Sequence, residues 1–387
     1  MLSTNTYDVV VVGSGPAGAT TARIAAERGL RVLLVDKKQE LGAPIQCSGA
    51  VSAHALSDAN ISADEEFVST PISGFAIYDG NGRSTVLDYR QLKADEYGKT
   101  PLGYVVDRRR FDRYLTTLAE RARVEVWLKT EATGFEPDGN GLAQVYLKHF
   151  GKRLTVKASI VVGADGVQSQ VGKWADIRTH IKLSELASCL QVVVNGVETD
   201  GLLEIITGHQ WAPGGYAWIF PKGHGYAEVG LGIIRTMTDK DARWHLDHFI
   251  KNSFLADRLK DNRTLEFQGG GVPLAAPLKK QYADHIILVG DAARQVNPIT
   301  GGGIHTALRC GLIAGNFLGD FIPTGQKPTA DCLAEYQHRW QAELGHSMWE
   351  LYRIKKNIFH QRIPQRDEML YDTLAGYFSP TSNFRKI

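Results

Sequence analysis

The first forty residues constrain this chain more than any other part of it. Tyr7-Asp8-Val9-Val10-Val11-Val12 is a β-branched run ending in Gly13-Ser14-Gly15-Pro16-Ala17-Gly18. Ala19 to Arg28 then reads as an Ala-rich helix stopped by Gly29, and Arg31 to Asp36 as a second buried strand ending in an acid. Strand, glycine turn, helix, strand and acid in this order form a dinucleotide-binding βαβ unit. Gly13 permits the tight turn, Gly15 lets the loop with Pro16 and Ala17 approach a pyrophosphate, and Gly18 lets helix and strand pack closely. The amides and dipole at the helix start favour phosphate. Asp36, 23 residues after Gly13, is placed to accept hydrogen bonds from both hydroxyls of a ribose. A carboxylate there repels a 2′-phosphate and disfavours NADP, and the position at the extreme N-terminus favours FAD. Lys37 follows at the cofactor edge; Lys37 and Lys38 also read as solvated charges. The alternative is a glycine turn with a structural role alone.

Composition sharpens the expectation. The chain has 40 glycines, where ~7% usage would give about 27 in a chain of this length. Its 387 residues suggest two or three domains, and 43% hydrophobic with 22% charged residues is ordinary globular usage. A net charge of +2 gives no general field for nucleic acid. Cys47, Cys189, Cys310 and Cys332 lie far apart with no C-x-x-C, against a disulfide framework or a zinc site, so no metal is expected. A reduced cytoplasmic protein is the simplest reading. Met1 to Asp8 lacks the charged region of a signal peptide, and no apolar stretch reaches the ~18 residues of a membrane span. Peripheral membrane contact stays open.

Two further apolar strands run into Gly/Asp turns: Ile160-Val161-Val162-Gly163-Ala164-Asp165-Gly166, and His285-Ile286-Ile287-Leu288-Val289-Gly290-Asp291-Ala292-Ala293. The second continues through Asn297-Pro298-Ile299-Thr300-Gly301-Gly302-Gly303-Ile304 into a helix through Ala314. Three such strand ends in this order resemble the FAD-dependent family that includes p-hydroxybenzoate hydroxylase. The resemblance implies that Gly13, Gly15 and Gly18 hold the pyrophosphate and Asp36 the adenosine ribose. It implies that Arg108, in Val106-Asp107-Arg108-Arg109-Arg110, reaches the FAD while Arg109 and Arg110 are surface charges. Asp165 would lie beside the cofactor, Gly290 and Asp291 at the ribityl chain or pyrophosphate, and Pro298 with Gly301, Gly302, Gly303 and Ile304 close to the isoalloxazine. The positive end of the following helix would favour negative charge on the reduced flavin.

A narrower resemblance lies between these motifs. Tyr216-Ala217-Trp218-Ile219-Phe220-Pro221-Lys222-Gly223, followed by Val229-Gly230-Leu231-Gly232, is similar to the Y-x-W-x-F-P-K segment of the geranylgeranyl reductase family. So are Pro44-Ile45-Gln46-Cys47-Ser48-Gly49 and the run from Gly290 to Ile304, and the full length fits the archaeal members. Glu228 departs from the asparagine usual in that family. The alternating Tyr216, Trp218 and Phe220 share one strand face, with Pro221 counted in the same segment. Large aromatics on a sheet suit a long unsaturated chain, or form an ordinary sheet core. Trp211 and Gly214-Gly215 precede this strand and either shape a tunnel mouth or make a turn. Cys47 reads as a small buried hydrophobe, or as a thiol beside the flavin that donates a proton or positions substrate.

The expected fold is α/β. A Rossmann-like FAD domain (residues 1–75, 98–178 and 282–328) is interleaved with a sheet-containing substrate domain of α+β character (76–97 and 179–281). A helical segment (329–387) follows. From Arg339 onward there are eight Lys/Arg and five Asp/Glu, so this tail either touches an anionic membrane surface or covers the FAD domain. The resemblance implies a reductase saturating geranylgeranyl double bonds of archaeal-type glycerophospholipid precursors. An FAD monooxygenase on the same fold is the alternative, and a non-catalytic flavin or lipid carrier is the alternative of another class. A disulfide oxidoreductase would need a cysteine pair after the second strand. A second complete nucleotide fingerprint is also missing, so the electron donor stays open among ferredoxin, a deazaflavin, NAD(P)H or another reductant.

Overall fold

The computed structural model describes residues 6–64, 66–91, 101–259, 263–380 and 382. Parts of the expected segments (1–5, 65, 92–100, 260–262, 381 and 383–387) lie outside the described residues.

Val9, Val10 and Val11 are fully buried, as are Leu33, Leu34, Val161 and Val162. Strands apolar on both faces need cover on both faces, the condition of a parallel α/β sheet. Here they pair in parallel: Thr6–Val12 between Lys152–Gly163 and Val32–Val35, with Glu125–Trp127 and Ile286–Leu288 extending the sheet on either side. Tyr282–Ala283 and an antiparallel pair, Ala143–His149 with Thr130–Pro137, complete eight strands. Register brings the glycine motifs together. Val12 lies opposite both Val35 and Gly163, and Gly163 lies opposite Leu288. The turns after these strands therefore emerge side by side at the carboxyl edge, where open α/β sheets bind ligands.

The helix Pro16–Glu27 packs against Ile304–Phe321, which runs seven residues past the end expected at Ala314. Gly311, Gly315 and Gly319 are the reason. A Cβ on each would lie 2.8, 2.6 and 2.3 Å from Thr20, Ile24 and Arg28 side-chain atoms, so these glycines let two helices touch along their length.

A second sheet of seven strands runs in the order Thr264–Pro273, Leu186–Asn195, Tyr226–Ile234, Ala217–Gly223, Leu202–Ile206, Gly74–Tyr78, Ser84–Asp88. It opens at Gly74, two residues ahead of the boundary expected at 76. One face packs on the helix Ala242–Asn252 through Ala217, Ile219, Leu246 and Phe249. The other turns toward the carboxyl edge of the first sheet. Ala50–Ser52, Gly103–Val106 and Val68–Ile72 form a small third sheet between them.

The tail is helical over Ala330–Trp340, His346–His360 and Gln365–Tyr377, with a π-helical turn at Gln341–Gly345. Tyr336 Oη donates to the Leu288 carbonyl at 2.8 Å, and Trp340 is fully buried, so this segment covers the first sheet. It then reaches the second sheet, where Phe378 stacks on Phe75 with centroids 4.0 Å apart. No helix among the described residues is long and apolar enough to cross a membrane.

Candidate active site

A cavity of about 750 Å³ lies between the carboxyl edge of the first sheet and the inner face of the second. Its first half is backbone-lined. Gly15, Pro16 and Ala17 border it, and a Cβ on Gly15 would meet nothing within 4 Å. Gly13 (φ +105°) and Gly18 lie behind them, where a Cβ on Gly18 would stand 1.9 Å from the Gly13 carbonyl oxygen. The first glycine is thus a turn, the second an open approach, the third a packing contact. Asp36 is 8% exposed, and its carboxylate accepts from Ser14 N at 2.9 Å, Ser14 Oγ at 2.6 Å and Lys38 N at 2.8 Å. Those bonds fix its orientation and use three of its roughly four acceptor positions.

Opposite, Gly290, Asp291, Pro298, Gly301, Gly302, Gly303 and Ile304 line the same cavity. Gly290 (φ +68°) approaches Ala17 so closely that a Cβ would lie 2.8 Å from the Ala17 methyl. Arg108 lines the wall and grips Asp112 through Nε at 3.1 Å and Nη2 at 3.0 Å. Burial raises the Asp291 carboxyl above its ordinary range, and the Arg108 charge opposes that shift. Arg109 and Arg110 face outward, to Glu266 at 2.9 Å and the Glu66 carbonyl at 3.2 Å. An open glycine cradle at a helix start, an oriented acid beyond it and a second glycine loop facing both fit a flavin dinucleotide.

Asp36 lies outside the cavity lining, and so do three further expected positions. The Asp165 carboxylate accepts from Ser169 Oγ at 2.6 Å, Gln170 N at 2.6 Å and Val171 N at 3.1 Å, so it caps the helix Gln170–Trp174. Its neighbours Ala164 and Gly166 line the cavity in its place. Lys37 is exposed, because the chain turns outward after Asp36. Pro221 is buried on the opposite face of its strand from Phe220, as a period of two requires.

The second half of the cavity is the inner sheet face. Tyr216, Trp218 and Phe220 line it in a column with successive centroids 5.9 and 6.3 Å apart. Tyr216 Oη donates to the Thr300 carbonyl and ties this column to the glycine loop. In the adjacent strand a Cβ on Gly230 would lie 2.6 Å from the Trp218 ring, so the missing side chain lets the indole lie flat over the strand. Trp218 Nε1 then reaches Gln191 Oε1 at 3.2 Å, and Gln191 Nε2 donates to Gln268 Oε1 at 2.5 Å. Gly214 and Gly215 line the cavity, whereas Trp211 packs behind the sheet.

Cys47 lines the cavity, accepts from Gly49 N at 3.4 Å and neighbours Arg108. Cys189, Gln191, Gln268 and Lys355 share the wall and were not singled out from the sequence. Burial pushes the Cys189 thiol up to about 12. Their signal was available in part, since Cys189 and Gln191 alternate on one face of a largely apolar strand. Glu228 lies on this face opposite Phe220 and is fully buried. Lys222 Nζ stands 3.1 Å away, and neither carboxylate oxygen accepts a well-aligned hydrogen bond among the described residues. Burial lifts this carboxyl to about 7 against the pull of Lys222. Ile358, Phe359, Leu370, Tyr377 and Phe378 close the cavity, so the tail forms a wall of it.

Comparison with known proteins agrees with this geometry. Residues 6–213 match an FAD binding domain, and residues 185–272 a geranylgeranyl reductase catalytic domain. Digeranylgeranylglycerophospholipid reductase of Methanosarcina acetivorans is 39% identical over 95% of this chain and 88% of its own. The Methanocaldococcus jannaschii protein of the same name is 38% identical over 87% of this chain and 82% of its own. The crystal structure of a geranylgeranyl bacteriochlorophyll reductase-like protein from Thermoplasma acidophilum superposes with a TM-score of 0.87. It is 31% identical, covering 98% of this chain and 93% of that one. The myxobacterial chondrochloren halogenase shares the fold, at 18% identity and a TM-score of 0.75 over 97% of this chain and 91% of its own. The chain therefore belongs to the geranylgeranyl reductase family and is an FAD-dependent oxidoreductase that saturates isoprenoid carbon–carbon double bonds.

Proposed function

We propose that the substrate is an archaeal-type prenyl glycerophospholipid whose geranylgeranyl double bonds are reduced in turn. The observation that carries this reading is the continuity of one cavity from the glycine loops to the column Tyr216, Trp218, Phe220 and on to the apolar tail. An elongated apolar space ending at a flavin edge suits a chain drawn past a fixed reacting point. The similar archaeal reductases named for such a lipid point the same way.

In this reading Gly13, Gly15, Pro16, Ala17 and Gly18 cradle the pyrophosphate and Asp36 meets the adenosine ribose. Arg108, Asp291, Gly290, Pro298 and Gly301 to Ile304 border the ribityl chain and ring. When bound and reduced, FAD supplies the hydride. Tyr216, Trp218 and Phe220 orient the alkene and exclude water. Cys47 donates or positions the proton that the second alkene carbon requires, with Arg108 as its neighbour. Residues 6–73, 101–178 and 282–328 form the FAD domain, 74–91 and 179–281 the substrate domain, and the tail from 329 completes the cavity. Electrons arrive from an external donor such as ferredoxin, a deazaflavin or NAD(P)H. The protein meets its lipid at the membrane surface.

The test is anaerobic. The purified flavoprotein is reduced, prenyl lipids are added, and product mass is followed. An increase of one dihydrogen per bond supports the reading; no change with any prenyl lipid, or oxygen-dependent hydroxylation, overturns it. Wild-type turnover after Cys47→Ser and Cys47→Ala would remove the thiol from the proton step.

A further inference from the structure

One buried charge in the cavity has no task in the chemistry above. Lys355, on the helix His346–His360, is 6% exposed and lines the cavity beside Ile358 and Phe359. Its Nζ donates to the Leu274 carbonyl at 2.5 Å and sits 5.5 Å from the centre of the Phe359 ring. No ion pair among the described residues includes it. The acid that acts on it is Glu185, whose carboxylate already accepts from Tyr352 Oη at 2.5 Å. An ammonium carries three donors. One is taken by Leu274 and one direction is covered by the aromatic face, which leaves donor capacity turned to the cavity. Burial pulls its pKa down to about 8, the behaviour of a cation missing its anion.

Position says which anion. A Cβ on Gly301 would lie 3.7 Å from Leu274 Cδ2, so Lys355 bonds the very residue that packs on the loop beside the flavin ring. In a prenyl glycerophospholipid the first double bond is separated from the phosphate by only a few bonds. For that alkene to reach the flavin edge, the phosphate must follow it into the cavity. A phosphate there needs a buried cation, since an unpaired charge in an apolar space is costly. Of the other Lys and Arg side chains on the wall, Arg108 is held by both oxygens of Asp112, Arg309 stands between Asp58 at 3.8 Å and Glu343 at 3.7 Å, and Lys38 is only half-buried, next to Asp36 at the first glycine turn.

We propose that Lys355 receives the phosphate of the prenyl lipid inside the cavity and so fixes how deep the first double bonds travel toward the flavin. This rests on the phospholipid reading given above.

The experiment compares Lys355→Met and Lys355→Arg with wild type on two lipids, digeranylgeranylglycerol phosphate and the same diether without phosphate. Loss of a charged hydrogen bond predicts a KM for the phosphate lipid raised by about tenfold or more in Lys355→Met. The neutral lipid, kcat and the flavin midpoint potential stay close to wild type, and Lys355→Arg recovers most of the KM. Equal losses on both lipids, or a shifted flavin potential, would overturn the proposal and place the charge at the flavin or in the fold. Binding is read without turnover by titrating the oxidised holoenzyme with saturated diphytanylglycerol phosphate. Weaker binding by Lys355→Met supports the assignment even if no lipid is reduced, which would refute the phospholipid reading alone; undiminished binding overturns it. Inorganic phosphate is the control. Competition by it at concentrations matching the lipid would show a free-phosphate site and overturn the lipid assignment.

Discussion

Glu228→Gln isolates the physics of the inner sheet face. The wild-type carboxyl is fully buried, and burial raises its pKa from 4.5 to about 7. Between those values the folded protein holds a proton that the unfolded chain has released. Folding stability therefore falls as pH rises through this window, and the cost is complete above about pH 7. A difference of roughly 2.5 units at 1.36 kcal/mol each is about 3 kcal/mol. The attraction of Lys222 at 3.1 Å already opposes the rise, so the shift is a net quantity. Glutamine keeps the shape and cannot ionise. Lys222 keeps some solvent at 16% side-chain exposure and its 3.4 Å approach to the Val106 carbonyl. Chemical denaturation of the holoenzyme should find the variant close to wild type near pH 5 and more stable, by up to about 3 kcal/mol, near pH 8. A stability difference independent of pH, or a variant weaker than wild type at pH 8, would refute the burial argument.

The other expectations are read more directly. Gly18→Ala places a Cβ 1.9 Å from the Gly13 carbonyl oxygen, a backbone atom that cannot yield; the protein should purify without visible flavin absorbance, and full flavin content would contradict the assignment. Gly230→Ala drives a methyl to 2.6 Å from the Trp218 ring and 2.5 Å from Gln191 Cβ. Overpacking of this kind costs about 1–3 kcal/mol, and prenyl lipid KM should rise with FAD content unchanged; wild-type melting and kinetics would show that the indole is not seated on that glycine. Asp165→Ala removes a helix cap worth about 0.5–2 kcal/mol. Stability should fall while FAD affinity holds, and the reverse pattern would restore Asp165 as a cofactor ligand.

What the sequence revealed depended on how local each signal was. The strand ends at Val12, Gly163 and Leu288 were readable because apolar runs stopped by glycine are local, and parallel pairing then forces them to one edge. The helix Ile304–Phe321 was read too short because Gly315 and Gly319, just beyond Ala314, look like breakers in isolation. Their use appears only once Ile24 and Arg28 are seen across the contact. The bonds of Asp165 to the start of the next helix were not legible, because an acid after a glycine-ended strand has the same pattern whether it faces a ligand or accepts from that helix. The direction of the following turn decides. Ile358, Phe359, Leu370, Tyr377 and Phe378 could be read as helical but not as cavity wall, since that depends on docking across hundreds of residues.

The register of the second sheet explains why its motif tolerates an apolar guest. Trp218, Gly230, Gln191 and Gln268 form one row across four strands, because Gly230 pairs with both Trp218 and Gln191, and Gln191 with Gln268. The next row, toward the Thr300 loop, contains Gly232, Cys189 and Gly270, with Tyr216 at its end. In the first row polar groups bond one another, indole to amide to amide, so these donors and acceptors need no partner from the cavity. In the second row two glycines leave the sheet thin, and the Tyr216 hydroxyl is already committed to the Thr300 carbonyl. From the loop opposite, Gln46 lies over Gly270, and Cys47 lines the same cavity with Arg108 as its charged neighbour. A row that spends its polar groups internally presents a largely apolar wall to the cavity.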